Sequence, residues 1–205
     1  MTAVKICGIS KMDELSGIRK GKPDYMGLVF APSKRQVTPD QAAQLVNRLD
    51  ASILRVGVFV NKTAAELLEI GKHVSLDIIQ LHGDESPDYC SNIKKEGYQV
   101  WKSFSIKEPG DLEQTKEYLV DGYLLDASGP LRGGNGVTFP WEWVRDLSVK
   151  GKLILAGGLN ADNVQEAIET VEPDIVDLSS GVEENGIKSE VKICEVIEKV
   201  RSVNK

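Results

Sequence analysis

The chain has 205 residues, a length typical of a single globular domain. Apolar residues make up 41% and charged residues 27%, a balance that excludes a largely disordered chain. The net charge of −6 argues against general nucleic-acid binding, which needs a basic surface. The sequence shows neither an apolar run of the roughly 18 residues that cross a membrane nor a secretion signal. We therefore expect one cytoplasmic domain over residues 1–205, with no nucleic-acid or membrane partner.

The cysteine and histidine content narrows the chemistry further. Three cysteines are an odd and small number, which fits a reducing compartment better than a disulfide framework. The sequence has no CxxC pair and only two histidines, so we expect no zinc or other metal site.

Eight short apolar runs recur along the chain and predict eight β-strands. They are rich in Val, Ile and Leu and show little alternation, which is typical of parallel strands buried on both faces. The runs span residues 3–7, 25–30, 54–60, 77–81, 99–104, 122–127, 152–157 and 174–179.

Amphipathic segments between these runs predict helices. Thr38 followed by Pro39 is a typical helix start. The predicted helical segments span residues 38–49, 62–74, 86–97, 108–119, 160–171 and 188–203, with a shorter and less regular one at 139–148. Eight predicted strands that alternate with helical segments predict a closed (βα)8 TIM barrel of nearly minimal length. An open α/β sheet is the alternative, which the lack of GxGxxG after the first strand weakens.

Glycine-rich loops follow the last three predicted strands and indicate an anion site. They read GGNG at 133–136, AGGL at 156–159 and SSGVE at 179–183. Glycine lets backbone N–H groups approach a ligand closely, and barrels of this type usually bind phosphate after strands seven and eight. One such loop alone is more simply a tight turn. Two together at those strands favour a phosphorylated small-molecule substrate.

Two candidate proton-transfer groups end predicted strands, where barrel enzymes place their active sites. Cys7 ends the first strand and Asp126 lies at the end of the sixth. A thiol and a carboxyl facing each other suit an isomerisation, in which one group removes a carbon-bound proton and the other protonates an oxygen. Their ordinary pKa values, about 8.5 and about 3.9, require the site to lower the first or raise the second. A buried structural thiol and a carboxylate capping a turn are the alternatives.

Three further residues have both a functional and a structural interpretation. Arg35 either grips a substrate carboxylate through its planar fork or is a solvated surface charge. His82 either transfers a proton or packs in its loop through hydrogen bonds. Lys5 shares a strand face with Cys7 by alternation, so it is positioned to stabilise a thiolate.

The motifs taken together resemble the phosphoribosylanthranilate isomerase family of tryptophan biosynthesis. The resemblance runs through all eight predicted units in order. It rests on KICG at 5–8, GLVFAPSKRQV at 27–37, VGVFVN at 56–61, QLHGDE at 80–85, LLDA at 124–127, RGGNGVTFPW at 132–141, LAGGLNADNV at 155–164 and DLSSGVEENGIK at 177–188.

This resemblance implies a cofactor-independent Amadori rearrangement of N-(5-phosphoribosyl)anthranilate. It implies that Cys7 is the general base at ribose C2′ and that Asp126 is the general acid at the ring oxygen. It assigns the anthranilate carboxylate to Arg35. The residues that it implies for phosphate binding are Gly134, Gly136, Gly157, Gly158, Ser180 and Gly181.

The sequence departs from the family pattern at Gln36, where an aromatic residue is common, and at Ser189, where aspartate is usual. The sixth loop also lacks the threonine that the family often has.

Another phosphosugar isomerase, an epimerase or an aldolase on the same barrel stays an alternative, with Lys102 as the one inward-facing candidate for a Schiff base. A non-catalytic sensor of a phosphorylated ligand is a further alternative. We expect a monomer, with a homodimer as the other possibility.

Overall fold

Eight parallel strands close into a barrel in the computed structural model, which describes residues 1–127 and 138–203. Strand order follows the chain, and β8 pairs with β1 to complete the closure. The strands are β1 Ala3–Cys7, β2 Tyr25–Val29, β3 Leu54–Phe59, β4 Ile78–Leu81, β5 Gln99–Ile106, β6 Gly122–Ala127, β7 Lys152–Leu155 and β8 Ile175–Leu178. The predicted (βα)8 barrel is confirmed.

Six α-helices and three 3-10 helices lie in the described residues. The α-helices are α1 Leu15–Gly21, α2 Pro39–Val46, α3 Ala64–Val74, α4 Pro87–Lys95, α5 Val164–Val171 and α6 Glu190–Val203. The 3-10 helices are Pro109–Glu117, Trp141–Trp143 and Ser180–Val182. As predicted, α2 begins at Pro39, and Thr38 forms a capping box with Gln41. Each helix in the described parts of the chain is too short or too polar to cross a membrane.

Two predicted helices are wrong in type. Residues 108–119 were expected to form an amphipathic α-helix, but Pro109–Glu117 is a 3-10 helix. Its buried side chains are Leu112 and Thr115, three residues apart, which matches the three-residue turn of a 3-10 helix. In the segment 139–148, only Trp141–Trp143 is helical.

A short β-hairpin follows β8 and was not predicted. Its strands are β9 Glu183–Glu184 and β10 Ile187–Lys188. The two turn residues, Asn185 and Gly186, both have positive φ, 51° and 78°. An Asn-Gly pair is the strongest short-range signal for such a turn, so the sequence did contain the information. The hairpin places Glu183 directly opposite Lys188.

Close packing fills the interior of the barrel near its amino-terminal end. Trp101 packs edge-to-face on Tyr25, with ring centroids 5.1 Å apart. Gly122 on the neighbouring strand makes room for the indole, because a Cβ there would lie 2.5 Å from a ring carbon of Trp101. A second and larger apolar layer lies between the strands and the surrounding helices. The barrel interior is therefore filled at the amino-terminal ends of the strands and open at their carboxyl ends.

Four aspartates clamp the amino-terminal ends of alternate strands. Each precedes an even-numbered strand and accepts a hydrogen bond from a backbone N–H at the start of the preceding odd-numbered strand. The pairs are Asp24 with Val4, Asp77 with Arg55, Asp121 with Val100 and Asp174 with Leu153, at 2.7–2.8 Å. Hydrogen bonds to a charged acceptor are stronger than neutral ones, so this end of the barrel is fixed for stability.

Candidate active site

A cavity of about 670 Å³ opens at the carboxyl ends of the strands. Six of the residues predicted from the sequence line it: Cys7, Arg35, Asp126, Gly157, Gly158 and Ser180. Gly181 lies beside the cavity, next in the chain to Ser180. Gly134 and Gly136 lie outside the described residues. The barrel thus brings proton-transfer groups, a guanidinium and two glycine loops around one space.

Cys7 is the last residue of β1 and lies opposite a glycine on β2. Gly27 pairs with Cys7 in register, and a Cβ at Gly27 would lie 2.8 Å from the Cys7 sulfur. Because Gly27 has no side chain, the Cys7 thiol packs directly against the backbone of β2. Burial raises the pKa of the Cys7 thiol, while the neighbouring Lys5 ammonium acts against that shift. The thiolate is the minor form at neutral pH, and Lys5 is a group that favours it.

A buried ion pair lies next to Cys7. The Lys5 ammonium donates a hydrogen bond of 2.7 Å to Asp177 on the adjacent strand β8, where the two residues are directly paired. Burial disfavours the charged ammonium, but Asp177 and Cys7 outweigh this and raise the pKa of Lys5. Asp177 also lines the cavity, although our sequence analysis did not single it out. Only the register between the first and last strands reveals this pair.

Asp126 carries the other proton-transfer group. It lies near the end of β6 and is 7% exposed. Burial, together with the negative charge of Asp177, raises the pKa of Asp126 to about 7. The carboxyl is then about half protonated at neutral pH, which suits a general acid. The ordinary pKa values of the two groups require such a shift at Asp126 or a lowered pKa at Cys7.

His82 follows β4 and lies between Asp126 and two polar side chains. Its Nε2 is 3.6 Å from the Asp126 Oδ2. Its Nδ1 is 2.8 Å from the Ser103 hydroxyl and 3.2 Å from the Gln80 amide nitrogen. The hydrogen-bonded packing predicted as one alternative is therefore present, and the ring also lies beside the candidate acid.

Arg35 extends over Gly8 towards the cavity. Gly8 has φ +83°, and a Cβ there would overlap the Arg35 side chain, so only glycine fits. The Arg35 Nε donates a hydrogen bond of 2.6 Å to Glu183 in the hairpin. The side chain is 12% exposed, which excludes the alternative of a solvated surface charge. The terminal Nη2 is buried and has no hydrogen-bond partner among the described residues.

The two glycine loops described by the structure pack against each other. Gly157 and Gly158 have φ of +85° and +62°, and Gly158 is fixed through its carbonyl by the side-chain amides of Asn160 and Asn163. A Cβ at Gly181 would overlap the carbonyl of Leu159 in the neighbouring loop. Gly181 therefore lies so close to the loop after β7 that a larger residue does not fit there.

Lys102 lies outside the cavity, contrary to its expected inward position. Its ammonium donates hydrogen bonds to the carbonyls of Leu81, Gly83 and Ser103, at 3.4, 2.7 and 3.1 Å. Its Nζ is also 3.4 Å from the Glu85 carboxylate. A lysine engaged in this way holds the loop after β4 and is not placed to attack a carbonyl in the cavity. This removes the residue on which the aldolase alternative depended.

Comparisons with known proteins agree with this geometry. Residues 4–199 match the family model described as N-(5′phosphoribosyl)anthranilate (PRA) isomerase. An N-(5′-phosphoribosyl)anthranilate isomerase of Thermoanaerobacter sp. (strain X514) is 45% identical over 204 residues, which cover 99% of this chain and 100% of that protein.

Solved structures give the same result. Monomers generated from the dimeric enzyme of Thermotoga maritima have a TM-score of 0.84 and 36% identity, over 98% of this chain and 100% of that one. A phosphoribosyl anthranilate isomerase in complex with reduced 1-(o-carboxyphenylamino)-1-deoxyribulose 5-phosphate has a TM-score of 0.85 and 35% identity, with the same coverage. The family model and the 45% identical relative both span nearly the whole chain. The chain belongs to the N-(5′-phosphoribosyl)anthranilate isomerase family.

Proposed function

We propose that this chain converts N-(5′-phosphoribosyl)anthranilate to 1-(2-carboxyphenylamino)-1-deoxyribulose 5-phosphate, a step of tryptophan biosynthesis. One observation carries the residue assignment: Cys7 and Asp126 line a single cavity together with the glycine loops after β7 and β8. Family membership supports the reaction, and the raised pKa of Asp126 supports its role as the acid.

Asp126 begins the reaction as general acid. It donates its proton to the ribose ring oxygen, the C1′–O bond breaks, and the nitrogen lone pair forms a C1′=N bond. A carboxyl with a pKa of about 7 holds a proton for this step at neutral pH and still releases it readily. The nearby His82 ring, 3.6 Å away, supports the orientation of the carboxyl.

Cys7 completes the reaction as general base. Its thiolate removes the proton from C2′, and the electrons of that bond form C1′=C2′ while the nitrogen regains its lone pair. The resulting enol then gains a proton at C1′ and loses one from the C2′ hydroxyl, which gives the ketone. Lys5 stabilises the thiolate against the burial that disfavours it.

The two anionic ends of the substrate bind on different loops. Arg35 binds the anthranilate carboxylate, because a planar fork matches two carboxylate oxygens. The loops containing Gly157, Gly158, Ser180 and Gly181 bind the phosphate, since glycines allow backbone N–H groups to approach it. The positive φ of Gly157 and Gly158 supports this assignment.

The test is the loss of substrate fluorescence with purified variants. Cys7→Ser and Asp126→Asn should each lower kcat by about 10²- to 10⁴-fold, because each removes one proton transfer. Cys90→Ser is the matched control, since this thiol is buried in α4 outside the cavity. Normal turnover by either cavity variant would contradict the acid–base assignment.

We also infer a monomer in the cytoplasm. The exposed large apolar side chains in the described residues are few and lie on separate elements, which supports a monomer: Met1, Met12, Leu119, Ile187 and Val191. Light scattering of the purified protein decides between a monomer and a homodimer; the Thermotoga maritima relative is described as dimeric. Fractionation of the producing cells tests the location.

A further inference from the structure

We propose that Glu183 is a positioning residue that aims the guanidinium of Arg35 at the substrate carboxylate. The proposal rests on the carboxylate-binding role proposed above for Arg35. Glu183 is outside the lining of the cavity, whereas Arg35 is part of it. Glu183 therefore acts on the substrate through Arg35 and not by contact.

The ion pair engages one guanidinium nitrogen, and another has no partner among the described residues. Glu183 accepts a hydrogen bond of 2.6 Å from the Arg35 Nε, and the two side chains are only 7% and 12% exposed. The Arg35 Nη2 is buried without a partner among the described residues. A buried donor without an acceptor costs about 1–3 kcal/mol, so a ligand that supplies the acceptor gains that free energy on binding. An oxygen of the substrate carboxylate can supply that acceptor.

Glu183 is itself held rigidly, which a positioning residue requires. Its carboxylate also accepts a hydrogen bond of 2.9 Å from Lys188, whose side chain is 1% exposed. The Lys188 ammonium in turn donates to the backbone carbonyl of Ser179 at 2.9 Å, at the end of β8. Although burial opposes ionisation, hydrogen bonds from Arg35 and Lys188 lower the pKa of Glu183 to about 2. The carboxylate is thus charged and immobile over the working pH range.

The charge balance of this cluster favours an anionic ligand. Lys34, Arg35 and Lys188 all contact the single carboxylate of Glu183. Three positive charges against one leave this cluster with an excess of two, and two of its members, Lys34 and Arg35, line the cavity. Arg35 crosses directly over Gly8, the residue after Cys7. Fixing Arg35 therefore also fixes the anthranilate end of the substrate relative to the base.

The test is Glu183→Gln, with Glu184→Gln as the matched control. Glutamine keeps the size of the side chain but loses its charge, so the Arg35 fork loses its fixed orientation. Glu184 is the exposed next residue of the same hairpin strand and leaves Arg35 untouched. We expect KM to rise about tenfold in Glu183→Gln, with kcat changed less than about twofold, since ground-state and transition-state binding weaken together. An unchanged KM in a folded Glu183→Gln protein would overturn the proposal.

A double mutant separates positioning from a general structural effect. If Glu183 acts through Arg35, Glu183→Gln has little further effect on KM in an Arg35→Met background. The same tenfold rise with and without Arg35 would overturn the proposal. If Arg35→Met alone left KM unchanged, the carboxylate-binding role of Arg35 would fail first. That result would count against the proposed role of Arg35, whereas the results for Glu183→Gln test its positioning by Glu183.

Inorganic phosphate is a probe of the other end of the site. Its inhibition constant should stay the same in Glu183→Gln, because the substitution does not change Ser180 or Gly181, the residues proposed to bind phosphate after β8. A phosphate affinity that falls as much as KM rises would show a disturbed β8 loop and overturn the proposal. If Glu183→Gln does not fold, Glu183→Asp keeps the charge but is one methylene shorter. A folded aspartate variant should still show a raised KM with unchanged phosphate inhibition, and a wild-type KM would be the contrary result.

Discussion

Replacing Asp126 by asparagine should stabilise the fold at high pH while it removes activity. The folded-state pKa of about 7 lies above the ordinary value of 3.8 because the carboxyl is buried. Between these two values the folded state binds more protons than the unfolded state, so stability falls as pH rises. The loss of stability from ionising the buried carboxyl is absent well below pH 4 and complete above pH 7. Asparagine never carries the charge, so the variant escapes this penalty.

The size of the effect follows from the two pKa values. With 3.8 for the unfolded and about 7 for the folded state, linkage gives a penalty of about 4 kcal/mol at pH 8. The same relation gives about 2 kcal/mol at pH 5. Any constant difference between the two side chains cancels when the two pH values are compared. Asp126→Asn should therefore gain roughly 2–3 kcal/mol of stability relative to wild type between pH 5 and pH 8.

The assay is urea denaturation of both proteins at the two pH values, with catalytic rates measured in parallel. Asp162→Asn is the control, because Asp162 is exposed and its replacement removes no buried charge. A stability difference between wild type and Asp126→Asn that is equal at pH 5 and pH 8 would refute the reasoning. It would mean that burial does not raise the pKa of this carboxyl.

Two other substitutions test the packing of the site. Gly157→Ala should lower the free energy of unfolding more than Gly97→Ala does. Both glycines have positive φ, 85° and 93°. However, only at position 157 would a Cβ clash, because it would lie 2.6 Å from the backbone nitrogen of Ala127. Equal losses in urea denaturation would contradict this steric argument. Lys102→Met should destabilise the protein by about 3–5 kcal/mol, because Glu85 is left buried without its cation. Adding Glu85→Gln should recover part of that loss, and no recovery would count against the ion pair as its cause.

Local sequence was enough for the elements whose signals lie within a few residues. All eight strands lie where short apolar runs predict them, since both faces of a parallel barrel strand are buried. Thr38 and Pro39 start α2 because an N-cap depends only on adjacent residues. The order of strands along the chain then placed Cys7 and Asp126 at the same end of the barrel.

The helical prediction for residues 108–119 failed because an apolar pattern in a short segment does not distinguish a 3-10 helix from an α-helix. There, packing on β5 selects the tighter turn. The β9–β10 hairpin was missed for a different reason. Its Asn185–Gly186 turn is a local signal, but it lies between the SSGVE loop, interpreted for phosphate binding, and the helix predicted from residue 188.

The sequence by itself determined the barrel, the candidate acid and base, and the glycine loops, since each depends on periodicity or on the rule for strand ends. Only the tertiary structure determined which charged side chains form ion pairs. Lys5 and Asp177 are 172 positions apart and pair only because β8 closes onto β1. Arg35 and Glu183 meet only because the hairpin folds back to the loop after β2. Long-range electrostatics depends on distance in space and on burial, and neither can be read from the order of residues.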